Sequence, residues 1–405
     1  IKNYKILFFR HLCNLYSKKM SIFSIKQKFN LAKNAITKSA PVYVQFYITS
    51  RCNLACEQCN IIYADAKHQE MNIAQINKLA ENLKKIGVTV VLLIGGEPFV
   101  RKDIHQIVKA FTSRDIHVRL QTNGVATREQ LEQCVHAGAK DISISLDSLV
   151  PKTQDTINGN FNKSWEKAIE TISLVSEIFP ENSTAFFNSV IMPRNFDHIE
   201  GVIKFATKIG WGVSLVPVHV SDPTHPLPYR TLDYDGVLDF KNQDENMVRN
   251  LVVKLKSMKK NYNLYDSDDY LDDVERFILK KPIHWRRKNN NVCDSPKLYF
   301  AIAPSGLLKV CCDYELNERF YIYDNDFPEK YKRGEVYEKV FKITKACEGC
   351  MYGSYPEITI TARYLSAFLE RVKYFSISSP KLKKVDSNYL QNLASEILNE
   401  QNISA

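Results

Sequence analysis

The chain of 405 residues has no uninterrupted apolar stretch approaching the length that spans a membrane. It also lacks the charged, apolar and small-residue succession of a secretory signal. Ten cysteines in a chain of this size are too sparse for a disulfide scaffold, and their spacings look like metal ligation. These absences exclude a helical membrane protein and a disulfide-built secreted domain, and cytoplasm is the default expectation. Internal repeats and low-complexity tracts are missing as well, which excludes a solenoid. Residues 1–40 contain no Asp or Glu, against nine Lys or Arg, so this segment accounts for all but one unit of the net charge of +10. The remaining body is nearly neutral, and a general nucleic-acid surface is not expected.

The basic leader, residues 1–40, interleaves its charges with Ile6, Leu7, Phe8, Phe9, Leu12, Tyr16, Ile22, Phe23, Ile25 and Phe29. Without Pro or Gly it reads as one or two amphipathic helices. Two roles stand open. One is a helix packed on the main domain with a solvated basic face; the other is peripheral contact with an anionic membrane.

From Pro41 the pattern becomes regular. Val42–Thr49 reads as a strand, and Ile73, Ile76, Leu79, Ala80, Leu83 and Ile86 follow at helical spacing. Val88–Ile94 suits a buried parallel strand. Helix 104–111, strand 117–121, helix 128–136, strand 141–147, a helix through Trp165–Val175, strand 185–192, helix 199–209 and strand 213–220 complete six alternations. The expected fold is α/β: a partial (β/α)6 TIM-like barrel over 41–220, with function on the loops at the strands' C-terminal ends. Residues 221–291 read as a helical bridge with an acidic run and then a basic run, both taken as solvated faces. In 292–360 the hairpin 298–302/307–310 turns at Pro304-Ser305-Gly306 and brings Cys293 and Cys311 together. Residues 361–405 read as C-terminal helices.

The chemistry starts at Arg51–Asn60, where Cys52, Cys56 and Cys59 are spaced C-x3-C-x2-C directly after the first strand. Thiolates at this spacing can wrap one inorganic cluster; half a zinc site is the alternative reading. One strand later, Gly95-Gly96-Glu97-Pro98 offers backbone unobstructed by side chains and a carboxylate acceptor for an ammonium group. The two motifs in register resemble the radical S-adenosylmethionine (SAM) superfamily. The resemblance implies a [4Fe–4S] cluster on three thiolates, its fourth iron open to the amino and carboxylate groups of SAM. It further implies reductive cleavage of SAM to a 5′-deoxyadenosyl radical. Asn123 in Thr122-Asn123-Gly124, and Ser145 and Asp147 in Ser145-Leu146-Asp147, resemble that family's further cofactor contacts; ordinary strand-end turns are the alternative. The chain departs from the pattern at Gln58, where many members place an aromatic residue against the adenine.

The frame Cys293, Gly306, Cys311, Cys347 and Cys350 resembles the twitch domain of the SPASM/twitch subgroup, which implies an auxiliary [4Fe–4S] cluster on four thiolates. Structural zinc is the rival for this site, and Cys312 competes with Cys311. The resemblance implies an oxidoreductase-type enzyme using an external electron donor such as flavodoxin or ferredoxin. A small-molecule or carbohydrate-like alcohol is the first substrate expectation, because a leader of 40 residues is short for a folded peptide-binding domain. A peptide-modifying maturase comes second. A non-catalytic Fe–S or zinc protein on a membrane surface is the reading from another class. His219, Asp222 and His225 follow the sixth strand as acid–base candidates without an assigned role.

Overall fold

The computed structural model describes residues 22–61, 69–221, 231–233, 235–240, 243–286, 293–376 and 381–403. Asp222 and His225, and residues 1–21 of the leader, lie outside them. The first element is helix α1 (Ile25–Thr37), started by a capping box between Ser24 and Gln27. Six strand–helix units follow. They are β1 (Tyr43–Thr49), α2 (Ile73–Ile86), β2 (Val90–Gly95), α3 (Ile104–Thr112), β3 (His117–Thr122), α4 (Arg128–His136), β4 (Asp141–Ser145), α5 (Pro151–Ile157), α6 (Ser164–Ile178), β5 (Thr184–Ile191), α7 (Ile199–Lys208) and β6 (Gly212–Pro217). Beyond them come a short pair, β7 (Val220–Ser221) and β8 (Thr231–Leu232), and the helices α8 (Glu245–Met258) and α9 (Asp268–Ile278). The chain ends with β9 (Tyr299–Ile302), β10 (Leu308–Lys309), α10 (Phe327–Arg333), α11 (Glu335–Thr344), α12 (Ser354–Arg363), α13 (Leu365–Ser376) and α14 (Ser387–Glu400).

The main sheet runs β10-β9-β1-β2-β3-β4-β5-β6, parallel from β9 to β6, with only β10 antiparallel. This is the expected partial barrel. Its two faces differ in chemistry because side chains alternate along a strand. One face carries Val44, Phe46, Ile48, Val91, Leu93, Leu120, Ile142, Ile144, Phe187 and Val213 into the core under the helices. Phe187 lies 4.8 Å from Trp211 and 6.0 Å from Phe205, ring centre to ring centre. The other face, inside the barrel, bears a polar belt near the strands' C-terminal half: Gln121, Ser143, Ser145, Asn188 and Ser214. The Asn188 amide donates to Gln121 Oε1 (2.9 Å) and Ser143 Oγ (3.2 Å) across three strands. Nearer the strands' starts the interior is plugged. Arg119 stacks on Phe186 (4.6 Å), Arg371 stacks on Tyr265 (3.3 Å), and Tyr374 packs against both Phe186 and Tyr265.

The hairpin of the C-terminal segment is continuous with this sheet: β9 pairs in parallel with β1, Tyr43 to Tyr299 through Phe46 to Ile302. Residues 293–312 are thereby fixed beside the strand that leads into the cysteine loop. The described part of the leader packs on the opposite end. Asn34 donates to the Gly87 carbonyl (3.3 Å), Gln27 bonds Asp115 (3.2 Å), Lys38 pairs with Asp294, and Phe23 lies 4.6 Å from His117. Each of Gly87, Asp115 and His117 precedes or begins a strand, so α1 covers the barrel's N-terminal end.

The β9–β1 junction rests on Phe300, whose side chain is fully buried. Phe300→Ala is expected to cost about 3–5 kcal/mol, read as a lower urea midpoint with an unchanged m-value.

Candidate active site

The cysteine loop leaves the end of β1 and is clamped from three sides. From below, Gly96 N–H donates to the Thr49 carbonyl and Glu97 N–H to the Arg51 carbonyl, each at 2.9 Å. The approach is so close that a Cβ on Gly95 would sit 2.2 Å from Thr49 O, and one on Gly96 2.2 Å from Arg51 O. No other residue fits either position without moving backbone. From the side, Asn123 donates to Asn53 Oδ1 (2.7 Å) and reaches Cys52 Sγ (3.8 Å). From the third side comes α5, which the sequence reading missed. Glu57 N–H donates to the Ile157 carbonyl (3.1 Å), and Asn158 Oδ1 lies 3.6 Å from Cys56 Sγ. Gly159 packs so that a Cβ would meet Ala55 O at 2.2 Å, and its φ of +82° lies in the left-handed region that favours glycine. Arg194 closes this side with an ion pair to Glu57 at 2.9 Å.

The Glu97 carboxylate is fully buried and accepts from Phe99 N–H (2.9 Å), Thr122 Oγ1 (2.9 Å) and Asn123 N–H (2.6 Å). It ties the ends of β2 and β3 together through these donors. Burial pushes it up to about 7 against the pull of those donors. Asp147 is likewise buried: it accepts from Val190 N–H (2.6 Å), and burial raises it to about 7. It stands within electrostatic range of Cys56. Ser145, by contrast, is only half-buried and ends β4 on the polar belt.

The three thiols share one environment. Burial raises Cys56, and the neighbouring Cys59 and Cys52 charges raise it further; burial raises Cys52 as well. Three thiolates this close repel one another, so the fully ionised set requires a cation. The donors it would need are in place. Cys52 receives the backbone N–H of Leu54 (3.4 Å), and Cys59 that of Ile61.

The second thiol set repeats this device. Cys293 is raised to about 12 by burial first and then by Cys311 and Cys347; Cys350 is raised by burial, Cys311 and Cys347. Cys293, Cys347 and Cys350 each receive the backbone N–H two residues on, from Ser295, Gly349 and Tyr352, and Cys311 receives that of Tyr314. Cys134 is the control. It is buried as deeply, burial alone raises it to about 12, and no donor turns towards it. Cys311 lies within electrostatic range of Cys293 and Cys350, and Cys312 is buried in the apolar cluster of Tyr299 and Tyr355, against which Cys293 and Cys311 also pack. His219 is structural. Its Nδ1–H donates to the Pro217 carbonyl (2.8 Å), Nε2 accepts from Met351 N–H (3.0 Å), and the ring stacks on Tyr352 at 4.0 Å. These bonds select the neutral imidazole and join β6 to the Cys350 segment.

The family model described as the Radical SAM superfamily matches residues 46–206. Over these residues the chain is similar to radical SAM domains. Among curated relatives, the PqqA peptide cyclase of Xanthomonas campestris pv. campestris is 30% identical over 184 residues, covering 45% of this chain and 47% of that protein. The AdoMet-dependent heme synthase of Methanosarcina barkeri is 26% identical over 175 residues, covering 42% and 49%. The chain thus spans about half the length of the curated relatives it matches. Among solved structures, Streptococcus suis SuiB bound to its precursor peptide SuiA superposes with a TM-score of 0.56 at 16% identity, covering 89% of this chain and 82% of that one; this likeness concerns the fold. A radical SAM domain uses SAM and a [4Fe–4S] cluster, and the clustered thiols with their N–H donors fit that group.

Two outcomes follow for the loop. Gly96→Ala should leave the far-UV circular dichroism unchanged yet lower iron retained after anaerobic reconstitution by at least half, because Arg51 must move. A carboxyl whose folded pKa is raised binds protons more tightly in the folded state, so it loses stabilisation as pH rises from about 4.5 through about 7. In urea titrations, the stability of wild type relative to Glu97→Gln should therefore decline across that window.

Proposed function

We propose that the chain is a radical SAM enzyme that modifies a peptide. The observation that carries the enzyme class is the seating of Thr49–Arg51, the segment that leads into Cys52, directly on Gly95-Gly96 within the region matched by the radical SAM model. When bound, the cluster and SAM supply a one-electron cleavage that yields methionine and a 5′-deoxyadenosyl radical, which takes a hydrogen atom from the substrate.

The chain's own residues then divide the work. Cys52, Cys56 and Cys59 hold the cluster, and backbone at Gly95 and Gly96 seats the methionine end of SAM. Glu97 positions that backbone and the Thr122–Asn123 turn. Asn123 directs a donor at the Cys52 sulfur, Asp147 holds the β4 end against β5, and Ser145 meets the nucleoside. Gln58 Oε1 is buried without a partner. It supplies an acceptor for the adenine amino group, in place of the aromatic contact this chain lacks. Cys293, Cys311, Cys347 and Cys350 would hold an auxiliary [4Fe–4S] cluster of the twitch type, which would supply an electron acceptor for net dehydrogenation of the substrate. A flavodoxin- or ferredoxin-like donor provides the first electron.

The relationship to the PqqA peptide cyclase supports a peptide over the carbohydrate-like alcohol first expected. The polar belt of Gln121, Ser145, Asn188 and Ser214 agrees with this, since amide and hydroxyl side chains pair with peptide groups inside a barrel.

Anaerobic reconstitution with dithionite and SAM tests the reading. About eight irons per chain and formation of 5′-deoxyadenosine are expected, with formation falling to background in Cys52→Ser and persisting in Cys347→Ser. A short peptide encoded beside the chain's gene should lose two hydrogens by mass when SAM is consumed. Deoxyadenosine formation that survives Cys52→Ser overturns the proposal, and unchanged peptide masses with turnover of an alcohol overturn the substrate class.

A further inference from the structure

We propose that the end of the barrel where the strands begin is a docking face for an anionic lipid bilayer. α1 lies across this end, held by Gly87, Asp115 and His117. Its outward side exposes Ile25 (72%) and Phe29 (46%), one helical turn apart. α13 meets α1 through Phe375, 6.0 Å from Phe23, and exposes Leu365 (67%) and Leu369 (46%), again one turn apart. Large aliphatic side chains at such exposure cost free energy in water and recover it in a lipid interface.

Lysines surround these apolar groups. Lys26 and Lys33 on α1, Lys140 before β4, Lys208 before β6, Lys373 on α13, and Lys381, Lys383 and Lys384 are all exposed. The last three are fixed to this end: Lys383 N–H donates to the Ile209 carbonyl and its Nζ to the Lys208 carbonyl (2.7 Å). Several acidic groups here are already engaged: Asp115 is shared by Lys26 and Lys84, Glu177 is paired with Arg128, and beside the α13 leucines Glu370 and Asp268 share Lys259 while Asp269 accepts from Ser366. Glu181 and Asp386 are exposed among the lysines. Cations attract either phosphate polymers or anionic lipid, but only lipid rewards the Ile, Phe and Leu side chains set among them. The cysteine loop stands at the opposite, C-terminal ends of the strands, so a docked molecule keeps its mouth turned away from the bilayer.

The test is co-sedimentation of the full chain with phosphatidylcholine–phosphatidylglycerol vesicles and with phosphatidylcholine vesicles alone. Binding to the anionic vesicles only, weakening as salt is added, is expected. Ile25→Asp combined with Phe29→Asp should lower the partition coefficient at least tenfold. Lys381→Glu, Lys383→Glu and Lys384→Glu together should do the same, each lysine near such a surface being worth about fivefold. Thermal melts that match wild type show that these exposed changes leave the fold intact. No sedimentation at low salt, equal binding to both vesicle types, wild-type binding by both variants, or retention of duplex DNA in place of vesicles would each overturn the proposal.

Discussion

The site depends on one close approach: Gly95 and Gly96 lie flat against the carbonyls of Thr49 and Arg51. Parallel strands β1 and β2 shift register by one residue between Tyr47 and Thr49, so that Thr49 comes opposite Gly95, and the missing side chains let the two backbones meet where the loops begin. Two hydrogen bonds then fix the orientation of Arg51, the residue before Cys52. What reads in the chain as two motifs separated by a helix is, in space, a single double-stranded tip. Glu97 extends the tie to β3 by taking the Thr122 and Asn123 donors, so three consecutive strand ends become one rigid platform.

That arrangement suits the chemistry proposed for it. A cluster and its cofactor must be held in fixed relation for electron delivery and bond cleavage to coincide, and rigid strand ends hold groups more closely than free loops do. The thiols are kept neutral by burial and mutual repulsion until a cationic group joins them, while N–H groups already aimed at the sulfurs favour the thiolate once it forms. The same logic recurs at Cys293 and Cys311, which flank the hairpin that the sheet absorbs through β9, and at Cys347 and Cys350, which follow α11. A common scaffold therefore positions both thiol sets.

Much of this was legible in the sequence where the signal is local. Helical periodicity located α4 at Arg128–His136 to the residue, and the alternation D-I-S-I-S-L-D placed β4, running two residues past its end at Ser145. The hairpin around Gly306 was legible from its turn residues, and its φ of +85° shows why glycine stands there. Long-range relations were not. Nothing in the spacing around Tyr299 reveals a parallel partner some 250 residues earlier, because strand pairing leaves no periodic trace. α5 is two turns long, too short for periodicity to register, yet its end supplies Asn158 and Gly159 to the cysteine loop. Glu97 was read by residue type as an ammonium acceptor. Its burial, and the three donors converging on it, arise only when β2 and β3 are brought side by side. His219 looked like an acid–base group from its position after β6; the carbonyl and amide that occupy its two nitrogens belong to Pro217 and Met351, the second far away in the chain.

The account stands or falls on the joint between Gly95–Glu97 and Thr49–Arg51, and native-state hydrogen exchange of the Gly96 and Glu97 amides probes it most directly. Both amides are predicted to exchange only through global unfolding, with protection matching that of central β2 residues such as Leu92 and Leu93. Exchange of either one on the timescale of open loops, while β2 stays protected, would contradict it.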